Sequence, residues 1–183
     1  MIQIIKLGNL LEEIENQGLD AIQNAANCIG PMGAGIAGAI KRYGSSIIQS
    51  DAFKVCNATH PKPGQAYSTV SGLLKERGIK RVIHAATMAQ PGGITSLEIV
   101  SNAFKSSIEL AKREQITYLG CTALGTGIGG LDSKEVGKIM FKIALEEPIL
   151  KIAFIDFNED FIDQLKQCNE EAYDSFLNLP IEE

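Results

Sequence analysis

The chain has 183 residues, of which 45% are hydrophobic and 21% are charged, as is typical of a globular protein with a sizeable core. Its net charge of −5 and its aromatic content of only 6% argue against a protein whose main role is electrostatic binding of nucleic acid. The four cysteines are widely spaced, no apolar stretch is long enough to span a bilayer, and no signal-peptide pattern is present. We therefore expect a cytoplasmic protein with reduced thiols, no membrane contact and no metal site.

Predicted strands and helices alternate along the chain, with breaks at glycine-rich and proline-rich turns. In the first half the elements are a strand at residues 2–7, a helix at 10–16, a strand at 19–23, helices at 35–43 and from 46 onward, and a strand at 65–70. In the second half they are a strand at 79–85, a helix capped by Thr95 or Ser96, a strand at 116–119, a helix capped by Asp132 or Ser133, a strand at 150–157 and a helix at 160–176. Because the later strands are continuous apolar runs, the pattern predicts a mostly parallel sheet with helices on both faces.

Two glycine-rich loops follow predicted strands. The first covers residues 24–38, and the second covers residues 123–130. Glycine lets main-chain N–H groups approach a ligand closely, and free N–H groups at the start of a helix attract anions. Since ligands of open α/β sheets bind at the carboxyl ends of the strands, we expect the two loops to hold a diphosphate from both sides. For the second loop alone, a tight structural turn explains the glycines equally well.

Polar side chains near these loops each allow a structural and a functional interpretation. Asn24 and Asn27 are typical turn or capping residues, and their amides also suit the hydroxyl groups of a sugar. His84 lies inside an apolar strand and is interpreted as a core histidine with satisfied hydrogen bonds. Cys28 and Cys121 flank the loops and are interpreted as small packing residues.

Several motifs, taken in order, resemble the macro domain, a module that binds ADP-ribose. The segment Asp-Ala-Ile-Gln-Asn-Ala-Ala-Asn at residues 20–27 resembles the family's Asp-Ala-Ile-Val-Asn-Ala-Ala-Asn signature. Residues 33–40 and 126–130 are similar to its two glycine-rich loops, and residues 63–66 and 81–85 resemble its Gly-Glu-Ala and Tyr-Val-Ile-His strands. The matches follow the order of the family from residue 2 to residue 157.

The resemblance implies a three-layer α/β/α sandwich around a mixed, mostly parallel sheet of about six strands. The length of the chain predicts one domain, which the resemblance makes a single macro domain at residues 1–178, and we expect residues 179–183 to form a flexible tail. The implied ligand is ADP-ribose or a derivative, including ADP-ribosyl groups on proteins, and no cofactor or metal is implied.

The resemblance also assigns ligand contacts. Main-chain N–H groups from both loops would hold the diphosphate, namely those of Gly33, Ala34, Gly35, Ile36, Thr126, Gly127, Ile128 and Gly129. Asn27 would hydrogen-bond the distal ribose and is the candidate catalytic residue, while Asn24 would support the loop and contribute to the binding site. Asn9 would recognise the adenine amino group, and Phe157 would stack on or flank the adenine.

Four positions depart from the family pattern. Asn9 replaces the usual Asp, which removes charge assistance worth about 1 kcal/mol from the adenine contact. Gly129 stands where many members have an aromatic residue. Ala37 and Lys41 stand where members that hydrolyse ADP-ribosyl esters often have Asp and His, and Ala37 cannot act as a base.

Two functions follow from the resemblance, and the sequence leaves open whether the protein is an enzyme. The first is binding of ADP-ribose or ADP-ribosyl groups with slow, substrate-assisted hydrolysis at the distal ribose, either from proteins or from O-acetyl-ADP-ribose. The alternative is a non-catalytic module that only binds ADP-ribose, which Ala37 favours. Binding of RNA is disfavoured by the acidic charge and the few aromatic residues.

Overall fold

The computed structural model describes residues 1–177. The strands are β1 (Ile2–Leu7), β2 (Ala21–Asn27), β3 (Ala66–Thr69), β4 (Arg81–Met88), β5 (Tyr118–Cys121) and β6 (Lys151–Asp156). The helices are α1 (Ile14–Gln17), α2 (Gly35–Gly44), α3 (Ile47–Thr59), α4 (Leu97–Arg113), α5 (Ser133–Leu145) and α6 (Glu159–Leu177), with a 3₁₀ helix at Gly72–Arg77. The tail predicted at residues 179–183 lies outside the described residues. Within residues 1–177, no helix combines the length and apolarity needed to cross a bilayer.

The strands form a mixed sheet in the order β1-β6-β5-β2-β4-β3. Neighbouring strands are parallel except β3 and β4, which are antiparallel. Parallel strands place their carboxyl ends at one edge of a sheet, so the segments that follow β1, β2, β4, β5 and β6 all begin at that edge. The prediction of a mostly parallel sheet is confirmed.

Helices cover both faces of this sheet. Successive strand residues point to opposite faces, so β4 places Val82 in one core and Ile83 in the other. The Ile83 core packs the sheet against α4, α5 and α6, and the ring of Phe154 in β6 lies 6.0 Å from those of Phe104 and Phe161. The Val82 core packs the sheet against α1, α2 and α3. The predicted three-layer α/β/α arrangement is confirmed.

Two predicted element boundaries are wrong by four residues, and most of the others differ by one to three. The strand predicted at residues 19–23 continues as β2 to Asn27, because its last residues pair with β4 as far as Met88. The helix predicted at residues 10–16 is helical only over α1, which ends at Gly18 in the left-handed conformation, with a φ of 67°. The 3₁₀ helix before β4 was not predicted.

Side-chain caps fix the starts of α4 and α5, which follow β4 and β5 at the carboxyl edge of the sheet. The side chain of Ser96 accepts a hydrogen bond from the N–H of Ile99 at 3.2 Å at the start of α4. The side chain of Asp132 accepts one from the N–H of Glu135 at 2.9 Å at the start of α5. These caps satisfy N–H donors that a helix start leaves unpaired. Of the capping residues that the sequence suggested, the structure therefore selects Ser96 over Thr95 and Asp132 over Ser133.

Candidate functional site

A cleft of about 790 Å³ opens at the edge where the parallel strands end. Its volume lies within the range of small-molecule binding sites. The predicted ligand contacts that line it are Asn9, Asn27, Gly33, Ala34, Gly35, Ile36, Thr126, Gly127, Ile128, Gly129 and Phe157. The β2–α2 loop (residues 28–34) and the β5–α5 loop (residues 122–132) therefore meet at one cavity. Asn24, which was also predicted as a contact, does not line it.

Both loops present unpaired main-chain N–H groups to the cleft. Among the described residues, no acceptor pairs with the N–H groups of residues 33–36 or of residues 126–129. In the β5–α5 loop, the N–H of Gly130 donates to the carbonyl oxygen of Gly127 at 3.0 Å, and the N–H of Leu131 donates to that of Gly125 at 3.1 Å. The loop is thus a tight turn, and it also leaves a row of donors unpaired.

The glycines of these loops serve two different purposes. A Cβ at Gly33 or Gly127 would have no atom within 4 Å, so these residues face open space. At Gly129 a Cβ would lie only 2.5 Å from the carbonyl oxygen of Gly125 and 2.6 Å from Cγ2 of Thr95. Gly129 is therefore required for packing of the β5–α5 loop, while Gly33 and Gly127 keep the cleft open.

Asn27 is both a turn residue and part of the cleft wall. Its Oδ1 accepts hydrogen bonds from the N–H groups of Ile29 at 3.0 Å and Gly30 at 2.9 Å. Its Nδ2 donates to the carbonyl oxygen of Pro31 at 3.0 Å. The structural interpretation of Asn27 is thus confirmed. An amide nitrogen has two protons, so one N–H of Asn27 has no acceptor among the described residues.

Asn24 points into the protein rather than towards the cleft. Its Nδ2 lies 3.0 Å from Nδ1 of His84, and Nε2 of His84 lies 2.9 Å from Oγ1 of Thr69. Because an amide nitrogen only donates, we assign Nδ1 of His84 as the acceptor and Nε2 as the protonated nitrogen. Complete burial lowers the pKa of His84 to about 3, so the ring is neutral at physiological pH. His84 is the core histidine that was predicted, and Asn24 is its buried partner rather than a direct ligand contact.

Tyr67 connects this buried pair to Asn27. Its ring stacks on the imidazole of His84, with the ring centroids 4.7 Å apart and the planes 2° from parallel. Its hydroxyl donates to the main-chain oxygen of Asn27 at 3.1 Å. Burial raises the pKa of Tyr67, which keeps the hydroxyl protonated as a donor. The sequence analysis missed this residue because the contact joins β3 to the end of β2, 40 residues away.

The opposite end of the cleft contains Asn9 and Phe157. Oδ1 of Asn9 accepts from the N–H of Leu11 at 3.0 Å, and Nδ2 donates to Glu12 at 3.0 Å. One lone pair of Oδ1 remains for a ligand. The side chain of Phe157 is 71% exposed, so one face of its ring is available for stacking.

The structure adds lining residues that the sequence analysis missed. Asp156 accepts a hydrogen bond from the N–H of Ala123 at 2.9 Å, which ties the end of β6 to the β5–α5 loop. The hydroxyl of Thr122 is buried and has no partner among the described residues. Arg42 and Tyr43 lie along α2 at helical spacing from Ile36 and its neighbours. This spacing could have identified both of them as residues of the cleft. Arg42 and Asp156 are the only charged side chains among the described residues that line the cleft.

The two cysteines that flank the loops of the cleft are not activated as nucleophiles. Burial raises the pKa of Cys28 to about 11 and also raises that of Cys121, so both remain protonated thiols, as expected of packing residues. Ala37 lines the cleft, whereas Lys41 donates to Gln49 at 3.2 Å and does not. In the part of the chain that the structure describes, no group of three or more His, Cys, Asp or Glu residues could hold a metal ion.

Comparisons with known proteins identify one family. The sequence model described as Macro domain matches residues 23–140. An uncharacterized protein of Aquifex aeolicus is 35% identical over 148 residues, which cover 79% of this chain and 86% of that protein.

Two solved structures share the fold. A variant macrodomain of Oceanobacillus iheyensis with ADP-ribose matches with a TM-score of 0.77 at 17% identity, covering 92% of each chain. The macrodomain of DarG from Mycobacterium tuberculosis matches with a TM-score of 0.72 at 24% identity, covering 85% of this chain and 97% of that one. Because the sequence model of the family also matches more than half of the residues, the chain belongs to the macro domain family.

Proposed function

We propose that the protein binds ADP-ribose or ADP-ribosyl groups, with the diphosphate held between the β2–α2 loop and the start of α2 on one side and the β5–α5 loop on the other. The observation that carries this proposal is the set of main-chain N–H groups at residues 33–36 and 126–129, which have no partner among the described residues. Free N–H groups at a helix start and in a glycine-rich turn attract anions, and phosphate oxygens supply several acceptors within one small group.

The two ends of the cleft suit the two ends of this ligand. Phe157 offers an exposed ring for stacking on adenine, and Asn9 offers a carbonyl oxygen for the adenine amino group. At the other end, the unpaired N–H of Asn27 would donate to a hydroxyl of the distal ribose. ADP-ribose bound in this direction would present its distal ribose to the rim formed by the loops after β2 and β4.

The chemistry of the site favours binding over fast turnover. Ala37 offers no base, and the thiol of Cys28 stays protonated. In our proposal, hydrolysis at the distal ribose uses a water held by the phosphate of the ligand itself, with Asn27 orienting the sugar. We expect such turnover to be slow. Because Ala37 provides no base, binding without hydrolysis is the second candidate function.

Valine substitutions at Gly127 and Gly33 test the proposed diphosphate site from both sides. Neither glycine has a left-handed φ, and an added Cβ meets no atom within 4 Å, so both variants should keep the melting temperature of the parent protein. The larger side chain would occupy the place of the diphosphate, so we expect calorimetry to detect no ADP-ribose binding by either variant. Parent-like affinity in both folded variants would contradict the proposal.

A second experiment separates binding from hydrolysis. The parent protein is incubated with an ADP-ribosylated protein and with O-acetyl-ADP-ribose, and the release of ADP-ribose or acetate is followed. Slow release of product by the parent protein, together with no release by the Asn27→Ala variant, would support hydrolytic activity. Saturable binding without release would assign the protein to the binding class.

A further inference from the structure

The loops beside the end of the cleft that contains Asn27 carry exposed apolar side chains. Ile29, Ile94 and Ile128 are 49%, 91% and 68% exposed, and Ile94 is the most exposed large apolar residue among those described. Apolar side chains exposed singly are common, but a group beside a binding cleft indicates an interaction surface.

The three loops that carry these residues contact one another. The N–H of Cys28 donates to the carbonyl oxygens of Met88 at 3.1 Å and Ala89 at 3.3 Å, which joins the β2–α2 loop to the β4–α4 loop (residues 89–96). The β5–α5 loop packs on the other side of the β4–α4 loop, where a Cβ at Gly129 would lie 2.6 Å from Thr95. These connected loops carry Ile29, Pro91, Ile94 and Ile128, of which Pro91 and Ile128 line the cleft, and we call these four residues the apolar rim.

The loops of the apolar rim carry no charge. Residues 28–36, 86–97 and 122–131 contain no Asp, Glu, Lys, Arg or His, although 21% of the chain is charged. The first charged residues that follow the second and third segments are Glu98 and Asp132, which are both acidic. A nucleic acid crossing these loops would meet no cation to neutralise its phosphates.

We propose that the apolar rim docks an aliphatic segment of the polypeptide that carries the ADP-ribosyl group. This inference rests on the proposed function, because ADP-ribose in the cleft places its distal ribose beside Asn27 and the attached chain must then leave across the rim. The hydrophobic effect stabilises contacts between exposed isoleucines and aliphatic side chains. It does not stabilise contacts of the same isoleucines with acidic side chains or phosphates. The preferred partner is therefore a protein modified next to residues such as Leu or Val.

Two ADP-ribosylated peptides and free ADP-ribose provide the test. The peptides have equal length and the same non-cleavable linkage, and the modified residue is flanked either by Leu and Val or by Ser and Glu. We expect the parent protein to bind the aliphatic peptide roughly tenfold more tightly than the other two ligands, which corresponds to partial burial of one large aliphatic side chain. Ile94→Asp should remove this advantage and leave the affinity for free ADP-ribose unchanged.

Ile149→Asp is the matched control. Ile149 is 76% exposed and precedes β6, so it lies at the opposite edge of the sheet and should not affect any of the three affinities. Ile29→Ser is a second rim variant and should reduce the advantage of the aliphatic peptide in the same direction.

The other outcomes overturn the inference in distinguishable ways. Equal affinity of the parent protein for all three ligands would overturn docking and leave the proposed function intact. Tighter binding of an ADP-ribosylated oligonucleotide than of either peptide would assign the rim to nucleic acid. Failure of the parent protein to bind free ADP-ribose would overturn both proposals.

Discussion

The side chain of Asn27 combines a structural role with a donor that remains available. Its Oδ1 and one N–H hold the turn at residues 29–31, so the position of the amide is fixed before a ligand arrives. A donor that is already ordered loses little conformational entropy on binding. The turn and the ribose contact are therefore compatible, although the sequence presented them as alternatives.

Asn27→Ala should affect both stability and ligand choice. Removal of the three hydrogen bonds of the amide should lower the free energy of unfolding by about 1–3 kcal/mol. ADP-ribose should bind more weakly, whereas ADP, which lacks the distal ribose, should bind as it does to the parent protein. Thermal melts and calorimetry with both ligands check these expectations, and unchanged ADP-ribose affinity in a folded variant would exclude the ribose contact.

The different environments of Asn24 and Asn27 could not be predicted from the sequence. The two amides lie in different environments: Asn24 bonds to His84 inside the protein, whereas Asn27 follows an irregularity in the pairing of β2 with β4 and lines the cleft. The sequence analysis ended the strand at residue 23 and placed both residues in a loop, which concealed this difference. The extension of β2 depends on pairing with β4, and such a non-local contact leaves little trace in the local pattern.

At the scale of elements, β3 and β4 hold the end of β2 in place. The Tyr67 hydroxyl binds the main chain of Asn27, and the Tyr67 ring rests on His84, which is itself fixed by Asn24 and Thr69. This chain of contacts crosses three neighbouring strands. We interpret Tyr67 as a positioning residue for Asn27.

Tyr67→Phe tests this role, because it keeps the stacked ring and removes only the donor. We expect ADP-ribose affinity to fall several-fold and ADP affinity to stay constant, with a loss of about 1 kcal/mol in the free energy of unfolding. A merely structural role would reduce both affinities together or neither. Tyr118→Phe in β5, which does not line the cleft, is the control and should leave the ratio of the two affinities unchanged.

The starts of α4 and α5 were easier to predict than the ends of the strands for a physical reason. The caps at Ser96 and Asp132 act within three residues, so their signal is local in the sequence. The free N–H groups of both glycine loops were likewise anticipated from local composition. The lining residues Thr122 and Asp156 were not, because their placement depends on how β5 and β6 pair.

For the whole molecule, buried His84 makes stability depend on pH. Its pKa of about 3 in the folded protein lies below the ordinary value near 6.5, so the unfolded chain binds the extra proton between these limits. Stability should therefore fall as the pH decreases below about 6.5, by up to about 1.4 kcal/mol per pH unit. Burial acts to raise the carboxyl pKa values of Asp20 and Glu147, but the several hydrogen bonds of each carboxylate together lower them below their ordinary values. These two groups therefore add acid sensitivity only at lower pH.

Denaturant titrations between pH 6.5 and pH 5 check this dependence. His84→Gln should flatten the slope in this window, even though it lowers stability overall by disturbing the contacts with Asn24 and Thr69. A slope that survives His84→Gln would assign the titration to another group.

The charge distribution predicts that ADP-ribose binding depends little on salt. The chain has a net charge of −5, and the only charged side chains of the described residues that line the cleft are Arg42 and Asp156, which have opposite signs. The diphosphate is then attracted by main-chain N–H groups that form hydrogen bonds with it. Salt screens such short-range interactions only weakly. Raising the ionic strength from about 20 mM to about 500 mM should change the dissociation constant less than about threefold.

Calorimetry at both salt concentrations, with poly(A) RNA titrated in parallel at low salt, checks this expectation. A binding site for nucleic acid would lose several orders of magnitude in affinity over this range, because binding releases cations from the phosphates and added salt reduces the free energy gained from that release. Arg42→Gln is the matched variant, since it removes the cation of the cleft and should leave the weak salt dependence in place. A steep dependence that Arg42→Gln abolishes would show that a side-chain charge, and not the main-chain donors, provides the main attraction for the diphosphate.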